Sequence, residues 1–391
     1  MALLAVLVLA TALGPLALQI FLPALPAIRD SLGVTTGTVQ LAFSLSTLAM
    51  AVATLAYGPL SDRYGRRPIL IGGILVFLAG SGICVVAPDI VTLIVGRIVQ
   101  AAGGTAGLVL ARAIVRDLYP VDRAASTLAY LTMAMVVAPM VSPMLGGVIT
   151  DHVGWRAVFA ASALVGAGAL FGVLRYLPET HRDRGPGRSA AGMLSSFAVL
   201  LGSRHFNGFA FQSACAMALF YGFLAGAPFV VTGLLGQTAT AYGFMFIAVS
   251  GAFMVGNLVA ARISPRVGVV RMVRLGSLIV LAGSVVALLA ALVLPWSLPA
   301  LFVPMVVIAA AQGASMPNAQ AGVVSAMPQL AGAASGLGGF LQMGLAALAA
   351  QAVGMIQNDT PYPMLVAMLA CGIGTVAFSL VADLPRRTAT P

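Results

Sequence analysis

The sequence predicts an all-α integral membrane protein, in which twelve transmembrane helices form two pseudo-symmetric six-helix bundles. Of its 391 residues, 60% are hydrophobic and only 8% are charged, whereas ordinary soluble domains carry about 25% charged residues. Apolar runs of spanning length recur along the whole chain, and a charged junction between two of them recurs in the second half. The composition therefore excludes a soluble domain.

A helix that crosses a bilayer needs about 20 apolar residues. The runs that meet this length are 3–28, 39–60, 69–87, 90–112, 124–149, 157–175, 206–232, 239–261, 273–294, 299–323, 331–356 and 362–382, numbered here as spans 1 to 12. The first run has no basic flank and continues past residue 25. We therefore interpret it as a membrane span and not as a cleaved signal peptide.

The arginines predict the orientation of these spans. If both termini lie in the cytoplasm, 16 arginines fall on the inner side and only Arg29 and Arg156 on the outer side, as the positive-inside rule requires. We expect a multi-pass protein of the bacterial inner (cytoplasmic) membrane. The net charge of +10 then follows from topology in a lipid bilayer, and we expect no nucleic-acid partner.

The chain divides at its longest hydrophilic stretch, PETHRDRGPGRS (178–189), which lies between spans 6 and 7. It predicts an N-terminal six-helix bundle over 1–177, a cytoplasmic linker over 178–204, and a C-terminal six-helix bundle over 205–391. An internal repeat supports the two halves. The positions of Arg63, Gly65 and Arg67 between spans 2 and 3 are taken by Arg266, Gly268 and Arg271 between spans 8 and 9.

The junction GPLSDRYGRRP (58–68) concentrates charge between two uncharged runs. Gly58, Gly65 and Pro68 are expected to interrupt the helix on both sides, which predicts a loop. One interpretation is a positive-inside loop that only joins two spans. The other is the gating loop of a transporter.

Three motifs carry a family resemblance. GPLSDRYGRRP (58–68) resembles the cytoplasmic loop signature of the major facilitator superfamily. GRIVQAAGG (96–104) is similar to that superfamily's span-4 element, with Ala101 in place of a glycine. APMVSPMLGG (138–147) resembles the GPxxGG element of drug antiporters, with Ser142 in place of a glycine.

Further segments resemble the bicyclomycin/chloramphenicol-resistance (Bcr/CflA) type of drug:proton antiporter. They are FLPALPAI (21–28), ARAIVRDLYP (111–120), VGWRAVF (153–159) and LPET (177–180). The resemblance implies alternating access, export of small, mostly hydrophobic drugs or metabolites, inward proton flow and a monomer. A facilitator or proton symporter for a small nutrient or metabolite on the same fold stays open as an alternative. We expect neither an enzyme nor a cofactor.

One departure from the family concerns proton coupling. The family's span-1 aspartate is Gln19 here, and an amide cannot titrate. Arg97 and Arg112 are the charged residues well inside a span, and helical spacing places Gln100 on their face. We therefore expect this face to line the central cavity, with the Gln19 carbonyl accepting a hydrogen bond from Arg97.

The other candidate residues fall into two groups. Polar and aromatic side chains in apolar spans are candidates for the drug site, with helix–helix packing as the alternative: Tyr57, Phe211, Gln212, Phe220, Tyr221, Tyr242, Asn257, Gln312, Asn318 and Gln342. The resemblance suggests gating roles, with Arg66 paired to Asp117, for Asp62, Gly65, Arg66, Asp117, Pro139, Pro143, Gly146 and Gly147. The three cysteines and three histidines are scattered, so we expect no metal site.

Overall fold

A computed structural model describes residues 2–118, 121–180, 190–358 and 360–382, and their regular structure is helical. The first half contains α1 (Ala2–Ile20), α2 (Leu25–Leu32), α3 (Thr36–Tyr64), α4 (Arg66–Val86), α5 (Ile90–Leu118), α6 (Val121–His152) and α7 (Trp155–Tyr176). The second half contains α8 (Ala190–Leu201), α9 (Arg204–Phe229), α10 (Ala239–Val267), α11 (Val269–Val293), α12 (Leu298–Ser325), α13 (Ala331–Ile356) and α14 (Tyr362–Ala382).

The helices confirm the predicted all-α membrane fold. Among the described residues, eleven helical segments are long and apolar enough to cross a membrane, by length and composition. The helix α6 covers the remaining predicted span, 124–149. The predicted linker residues 181–189 lie outside the described residues.

The first span is interrupted, although the sequence predicts one run over 3–28. It consists of α1, a short 3₁₀ turn at Leu22–Ala24, and α2. Proline has no backbone N–H, so Pro23 and Pro26 leave the carbonyls of Gln19 and Leu22 without their usual helical donors. Such a break is tolerated at membrane depth where protein covers it, and residues 20–25 are buried.

The junction at 58–68 is shorter than the predicted loop, and that prediction is wrong in extent. The helix α3 continues through Gly58 and Pro59 to Tyr64, and α4 begins at Arg66. Pro68 lies in the first turn of α4, where a missing N–H costs no helical hydrogen bond. The turn is made by Gly65 alone, with φ 101° and ψ 153°, a conformation that is essentially restricted to glycine.

The same junction recurs in the second half, which gives the internal repeat a geometric basis. The helices α3 and α10 both have 29 residues. Each is followed by a single glycine, and Gly268 has φ 88° and ψ 152°, close to Gly65. Aligning these two glycines aligns Ser61 with Ser264 and Arg66 with Val269. It also aligns Arg67 with Val270, so the predicted equivalence of Arg67 and Arg271 is wrong by one residue.

The contacts divide the chain into two compact units. Unit 1 contains residues 1–188, 224–247 and 350–359, and unit 2 contains 189–223, 248–349 and 360–391. The core of unit 1 is formed by α1, α4, α5 and α7, around Phe77 and Leu110. The core of unit 2 includes Phe206, Phe209 and Val323. The domain boundaries at 177 and 205 stay a prediction.

The two junction glycines offer a matched test of the turn. A Cβ added to Gly65 would lie 2.6 Å from Oε2 of Glu179, whereas one added to Gly268 meets nothing within 4 Å. Both alanine variants carry backbone strain of about 1–3 kcal/mol. We expect Gly65→Ala to lower the free energy of unfolding of the detergent-solubilised protein more than Gly268→Ala does. Equal losses would show that the Glu179 contact is not needed.

Candidate functional site

The Arg97 side chain is the most deeply buried charge among the described residues. It lies on α5 and is 1% exposed. Its Nη1 donates to the carbonyl of Ala17 on α1 at 3.0 Å and to Oε1 of Gln100 at 2.5 Å. The Gln100 amide in turn donates to Oγ of Ser81 on α4 at 2.8 Å. This network ties α1, α4 and α5 together inside unit 1.

An aromatic ring covers the same guanidinium. Its Cζ lies 3.9 Å from the centroid of the Phe21 ring and 5.9 Å from that of Phe159. A cation over an aromatic face gains about 2 kcal/mol when it is desolvated. We call Arg97, Gln100, Ser81 and Phe21 the Arg97 cluster; no carboxylate pairs with Arg97 among the ion pairs of the described residues.

The expected hydrogen bond from Arg97 to Gln19 is wrong. The Gln19 side chain is buried, and its Oε1 has no hydrogen-bond partner within the described residues. The guanidinium bonds to the backbone carbonyl of Ala17 instead. Ala17 and Gln19 both lie in the last turn of α1, and the guanidinium is paired there with the main chain in place of the side-chain amide.

The prediction that one face of α5 lines a cavity is also wrong for most of that face. Gly104 packs on Gly14 of α1, and Gly107 packs on the Ala10 backbone. These small residues let α1 and α5 approach so closely that Arg97 and Gln100 are enclosed. Arg112, about four turns beyond Arg97 on the same helix, is exposed, and its Nη2 lies 3.1 Å from Sδ of Met135.

Two amide candidates of the second half, Gln212 and Gln312, link helices of unit 2. The amide of Gln212 donates to Oγ of Ser277 at 3.0 Å, and that of Gln312 donates to the Ala216 carbonyl at 2.9 Å. Several aromatic and amide candidates lie in the helix packing, partly or fully buried: Tyr57, Phe211 (ring centroid 5.2 Å from that of Phe378), Phe220, Tyr221 (OH 3.8 Å from Sδ of Met343), Tyr242 and Gln342. The predicted role of these residues in a drug site stays a prediction.

Asn257 and Asn318 are brought together at a crevice of about 500 Å³ in unit 2. Asn318 donates through Nδ2 to Oγ of Ser264 at 2.8 Å and to the Ala314 carbonyl at 2.9 Å. Asn257 donates to the Phe253 carbonyl at 3.0 Å. Among the polar candidates of the second half, these two line the crevice.

The charged residues at the α3–α4 junction, Asp62 and Arg66, form a compact network with Asp117, which we call the brace. Arg66 pairs with Asp117 on α5, with 3.2 Å between Nε and Oδ2, as the sequence predicts. The same guanidinium contacts Asp62 one turn earlier and Oγ of Ser61. The Arg66 side chain is only 11% exposed, so this contact is stronger than an ordinary surface ion pair.

Glu179 completes the brace, and sequence reasoning did not select it as a site residue. Its Oε1 accepts from the backbone N–H of Arg66 at 3.0 Å and from that of Thr180 at 2.9 Å. A carboxylate at the start of α4 is favoured by the helix dipole. The motif LPET (177–180), which contains Glu179, is part of the family resemblance. The motif does not show that Glu179 binds the backbone of Arg66.

The gating candidates of α6 lie in a tight seam at its far end. Gly146 contacts the Ile20 carbonyl at the break in span 1, and Gly147 contacts the Ala239 carbonyl at the start of α10. A Cβ on Gly243 of α10 would lie 2.5 Å from the carbonyl oxygen of Pro143. Pro139 and Pro143 both lie inside α6. We call this contact region, which belongs entirely to unit 1, the Gly147 seam.

Asp151 links the two sides of the Gly147 seam through hydrogen bonds. No spacing in the sequence predicts them. Its Oδ2 accepts from the backbone N–H of Thr240 at 2.8 Å and from the Thr240 hydroxyl at 2.6 Å. Its Oδ1 accepts from the N–H of Ala239 at 3.3 Å. The carboxylate thus caps the N-terminus of a helix that follows it by almost ninety residues.

Comparison with known proteins agrees with this architecture. The family model described as Major Facilitator Superfamily matches residues 7–351. The chain is 29% identical to "Multidrug resistance protein D" of Escherichia coli K12, across 87% of this chain and 85% of that protein. It is 28% identical to "Bicyclomycin resistance protein homolog" of Haemophilus influenzae, across 93% and 92% respectively. It is also 28% identical to "Chloramphenicol resistance protein" of Pseudomonas aeruginosa, across 95% and 88%.

Solved structures show the same fold. A peptide transporter POT in complex with sulfate superposes with a TM-score of 0.81 at 13% identity, covering 97% of this chain and 93% of that one. A D-xylose-proton symporter superposes with a TM-score of 0.75 at 15% identity, covering 98% and 97%. The chain belongs to the Major Facilitator Superfamily, and its resemblance to the Bcr/CflA type is confirmed by the relatives above.

The Arg97 cluster predicts a measurable stability effect. Replacing Arg97 with methionine removes two hydrogen bonds from a charged donor, each worth about 1.5–3 kcal/mol. It relieves a burial cost of about 2.5–3.5 kcal/mol. We therefore expect Arg97→Met to lower the free energy of unfolding of the purified protein, and Arg112→Met to leave it nearly unchanged.

A double-mutant cycle with Gln100→Leu checks the origin of that loss. Arg97 and Gln100 share a hydrogen bond, so their combined effect should be less than the sum of the single effects. An Arg97→Met protein as stable as the wild type would show that the cluster does not hold the three helices together.

Proposed function

We propose that this member of the Major Facilitator Superfamily is a secondary exporter of small, mostly hydrophobic drugs or metabolites. It works by alternating access in the bacterial cytoplasmic membrane, with both termini on the cytoplasmic side. The names of the similar proteins, which refer to multidrug, bicyclomycin and chloramphenicol resistance, support this substrate class. The observation that carries the proposal is the Gly147 seam, built from the element that resembles drug antiporters.

The seam has the properties that a reversible gate needs. Its contacts are between backbones, because Gly146, Gly147 and Gly243 leave no side chain in between. Such surfaces can separate without rearrangement of interlocked side chains, because small residues let the helix backbones pack closely on each other. The hydrogen bonds from Thr240 to Asp151 then define when the seam is closed.

The helices α3 and α13 make a second close contact of this kind within unit 1. The Ser44 hydroxyl on α3 donates to Oε1 of Gln351 on α13 at 2.7 Å. The Gln351 amide donates to the Gly37 carbonyl at 3.1 Å, and Gly354 packs against Gln40. In the proposed topology these residues and the Gly147 seam lie toward the outside. We assign them together to the outer gate.

The brace around Arg66 takes the corresponding role on the cytoplasmic side. Arg66, Asp117 and Glu179 join the start of α4 to the ends of α5 and α7. Asp62 pairs with Arg66 at the edge of this brace, where the Asp62 side chain is 46% exposed. We propose that the brace keeps these helix ends moving as one body during the transport cycle.

Proton influx is the proposed energy source. The identity of the residue at position 19 supports an alternative. Gln19 replaces the family's titratable residue, and no other carboxylate lies inside a predicted span. Coupling would then use a carboxylate whose hydrogen-bond donors lie across a gate, such as Asp151. Of the alternatives for a small nutrient or metabolite, Gln19 favours a facilitator, which needs no proton site; a proton symporter would need one elsewhere, as the exporter does.

The proposed export is tested by drug efflux from a pump-deficient bacterial host. Expression of the wild-type chain should lower accumulation of chloramphenicol or bicyclomycin. Gly147→Ala should abolish this effect, because its Cβ would overlap the Ala239 backbone. The matched control is Gly82→Ala on α4, whose Cβ meets nothing within 4 Å. Accumulation that is the same with and without the wild-type chain would refute export of these drugs.

The outer gate is tested separately through Asp151. Asp151→Ala removes three hydrogen bonds from the start of α10. We expect a cysteine introduced at Thr240 to react faster with an impermeant thiol reagent in this variant, in a background without native cysteines. Asp30→Ala is the control, because Asp30 contacts only its neighbour Arg29. Equal labelling rates in both variants would remove Asp151 from the gate.

A further inference from the structure

The junction between α10 and α11 carries arginines whose side chains have no partner in the described part of the protein. Arg262 and Arg266 lie in the last two turns of α10, and Arg271 lies in the first turn of α11. All three are exposed. Their side chains make no ion pair, hydrogen bond or ring contact with another described residue. We call these three the junction arginines of unit 2.

The first repeat provides contacts for the arginines of its own junction. Arg66 is held in the brace by Asp62 and Asp117. Arg63 lies against an aromatic face, with 5.2 Å between its Cζ and the centroid of the Tyr64 ring. The charge of this junction is therefore matched largely within the chain.

The second repeat has no carboxylate with which to build a brace. When the two junction glycines are aligned, Pro265 takes the place of Asp62 and Val269 that of Arg66. No aspartate or glutamate occurs in the described residues of unit 2, which are 190–223, 248–349 and 360–382. The described part of unit 2 therefore supplies no counter-charge for its junction arginines.

An exposed apolar face of α10 leads directly to two of these arginines. Val255, Leu258 and Val259 are all exposed. The 100° step of a helix places them on the same side of α10 as Arg262 and Arg266. At 1.5 Å per residue, Arg262 lies about 10 Å beyond Val255 along the helix axis. This face of α10 is thus apolar along its length and cationic at its end.

The start of α11 repeats this pattern. Leu275 and Leu278 are exposed, and helical spacing places them on the side of Arg271. Gly268 is the single residue between α10 and α11. The two apolar faces therefore end in arginine at the same junction.

The chemistry of this surface fits an anion that is joined to apolar chains. A guanidinium presents a planar fork of N–H donors that matches the oxygens of a phosphate. Exposed apolar faces of membrane helices lie against acyl chains, and basic residues at their ends attract anionic headgroups. A soluble anion would satisfy the arginines and leave the apolar faces without a role.

We propose that the junction arginines of unit 2 bind the phosphate headgroup of an anionic phospholipid, whose acyl chains lie along the exposed apolar faces of α10 and α11. The lipid supplies the counter-charge that Asp62 and Asp117 supply in the first repeat. It holds the turn at Gly268 as the brace holds the turn at Gly65. This binding does not depend on the transported substrate and so goes beyond the proposed function.

The test is a lipid titration of the purified full-length protein, with bound lipid measured by native mass spectrometry. The wild type should bind phosphatidylglycerol in preference to phosphatidylethanolamine, which carries no net charge. A triple variant with Arg262→Gln, Arg266→Gln and Arg271→Gln should bind phosphatidylglycerol at least tenfold more weakly, because each arginine near an anionic headgroup contributes about fivefold in affinity. All three positions are exposed, so the variant should unfold at the wild-type temperature in lipid-free detergent.

The aligned position of the first repeat provides a matched control. Arg63 aligns with Arg266 and is also exposed, so Arg63→Gln and Arg266→Gln remove the same charge from equivalent places. We expect Arg266→Gln to weaken phosphatidylglycerol binding about fivefold, and Arg63→Gln to change it less than twofold.

Four outcomes overturn the proposal. The first two are equal binding of phosphatidylglycerol by the wild type and the triple variant, and equal binding of both lipids by the wild type. The third is an equal loss in Arg63→Gln and Arg266→Gln, which would show a general effect of surface charge. The fourth is displacement of the lipid by an equal concentration of inorganic phosphate, which would show an anion site that does not use the acyl chains. Because all readouts are of lipid binding, a failure of drug export leaves them unaffected.

Discussion

The burial of the Arg97 guanidinium without a carboxylate is the constraint on which the arrangement of unit 1 depends. A guanidinium at this depth must be covered by hydrogen-bond acceptors and polarisable groups that the protein itself supplies. Here the cover consists of the Ala17 carbonyl, the Gln100 amide and the ring of Phe21. Ala17 lies near the end of α1, and Phe21 directly follows that helix, at the break in span 1. The buried charge thus links this end of α1 to α5.

The second repeat shows what happens when the same backbone carries different chemistry. Gly80 packs on Gly96 and Gln100 in unit 1, and Gly283 packs on Pro304 and Ile308 in unit 2. This correspondence places Met305 where unit 1 has Arg97, and Met305 is buried. Unit 2 therefore needs neither a buried charge nor its cover. The repeats share their helix junctions and packing glycines, and they differ in where polar groups are placed.

Whether a structural feature could be predicted from the sequence depends on how far apart in the chain its interacting residues lie. Helices and the glycine turns follow from local composition, and the Arg66–Asp117 pair follows from a motif. The predicted loop at 58–68 was too long, because a proline in the first turn of α4 does not interrupt that helix. The predicted Gln19–Arg97 bond is wrong because the guanidinium takes the Ala17 backbone carbonyl as its acceptor, and side-chain spacing along a helix does not indicate backbone acceptors. Asp151 and the crevice depend on residues far apart in sequence, and neither has a local signature.

The positions of the carboxylates limit how protons could drive transport. A ligand shifts a conformational equilibrium only as far as its affinity differs between the two states. A carboxylate meets this condition when its hydrogen-bond donors are present in one state and absent in the other. Gln19 cannot meet it, because its amide does not bind a proton in the relevant range. Asp151 accepts its hydrogen bonds from the start of another span, and Asp117 accepts its ion pair across the α3–α4 junction. The partners of Asp151, Asp117 and Arg97 all lie in unit 1. The Asp151 contact crosses the seam that we propose to open, whereas Arg66 stays with Asp117 in the proposed one-body movement of the brace. We therefore propose Asp151 as the carboxylate that links proton binding to opening of the outer gate, with Arg97 in the framework against which that gate moves.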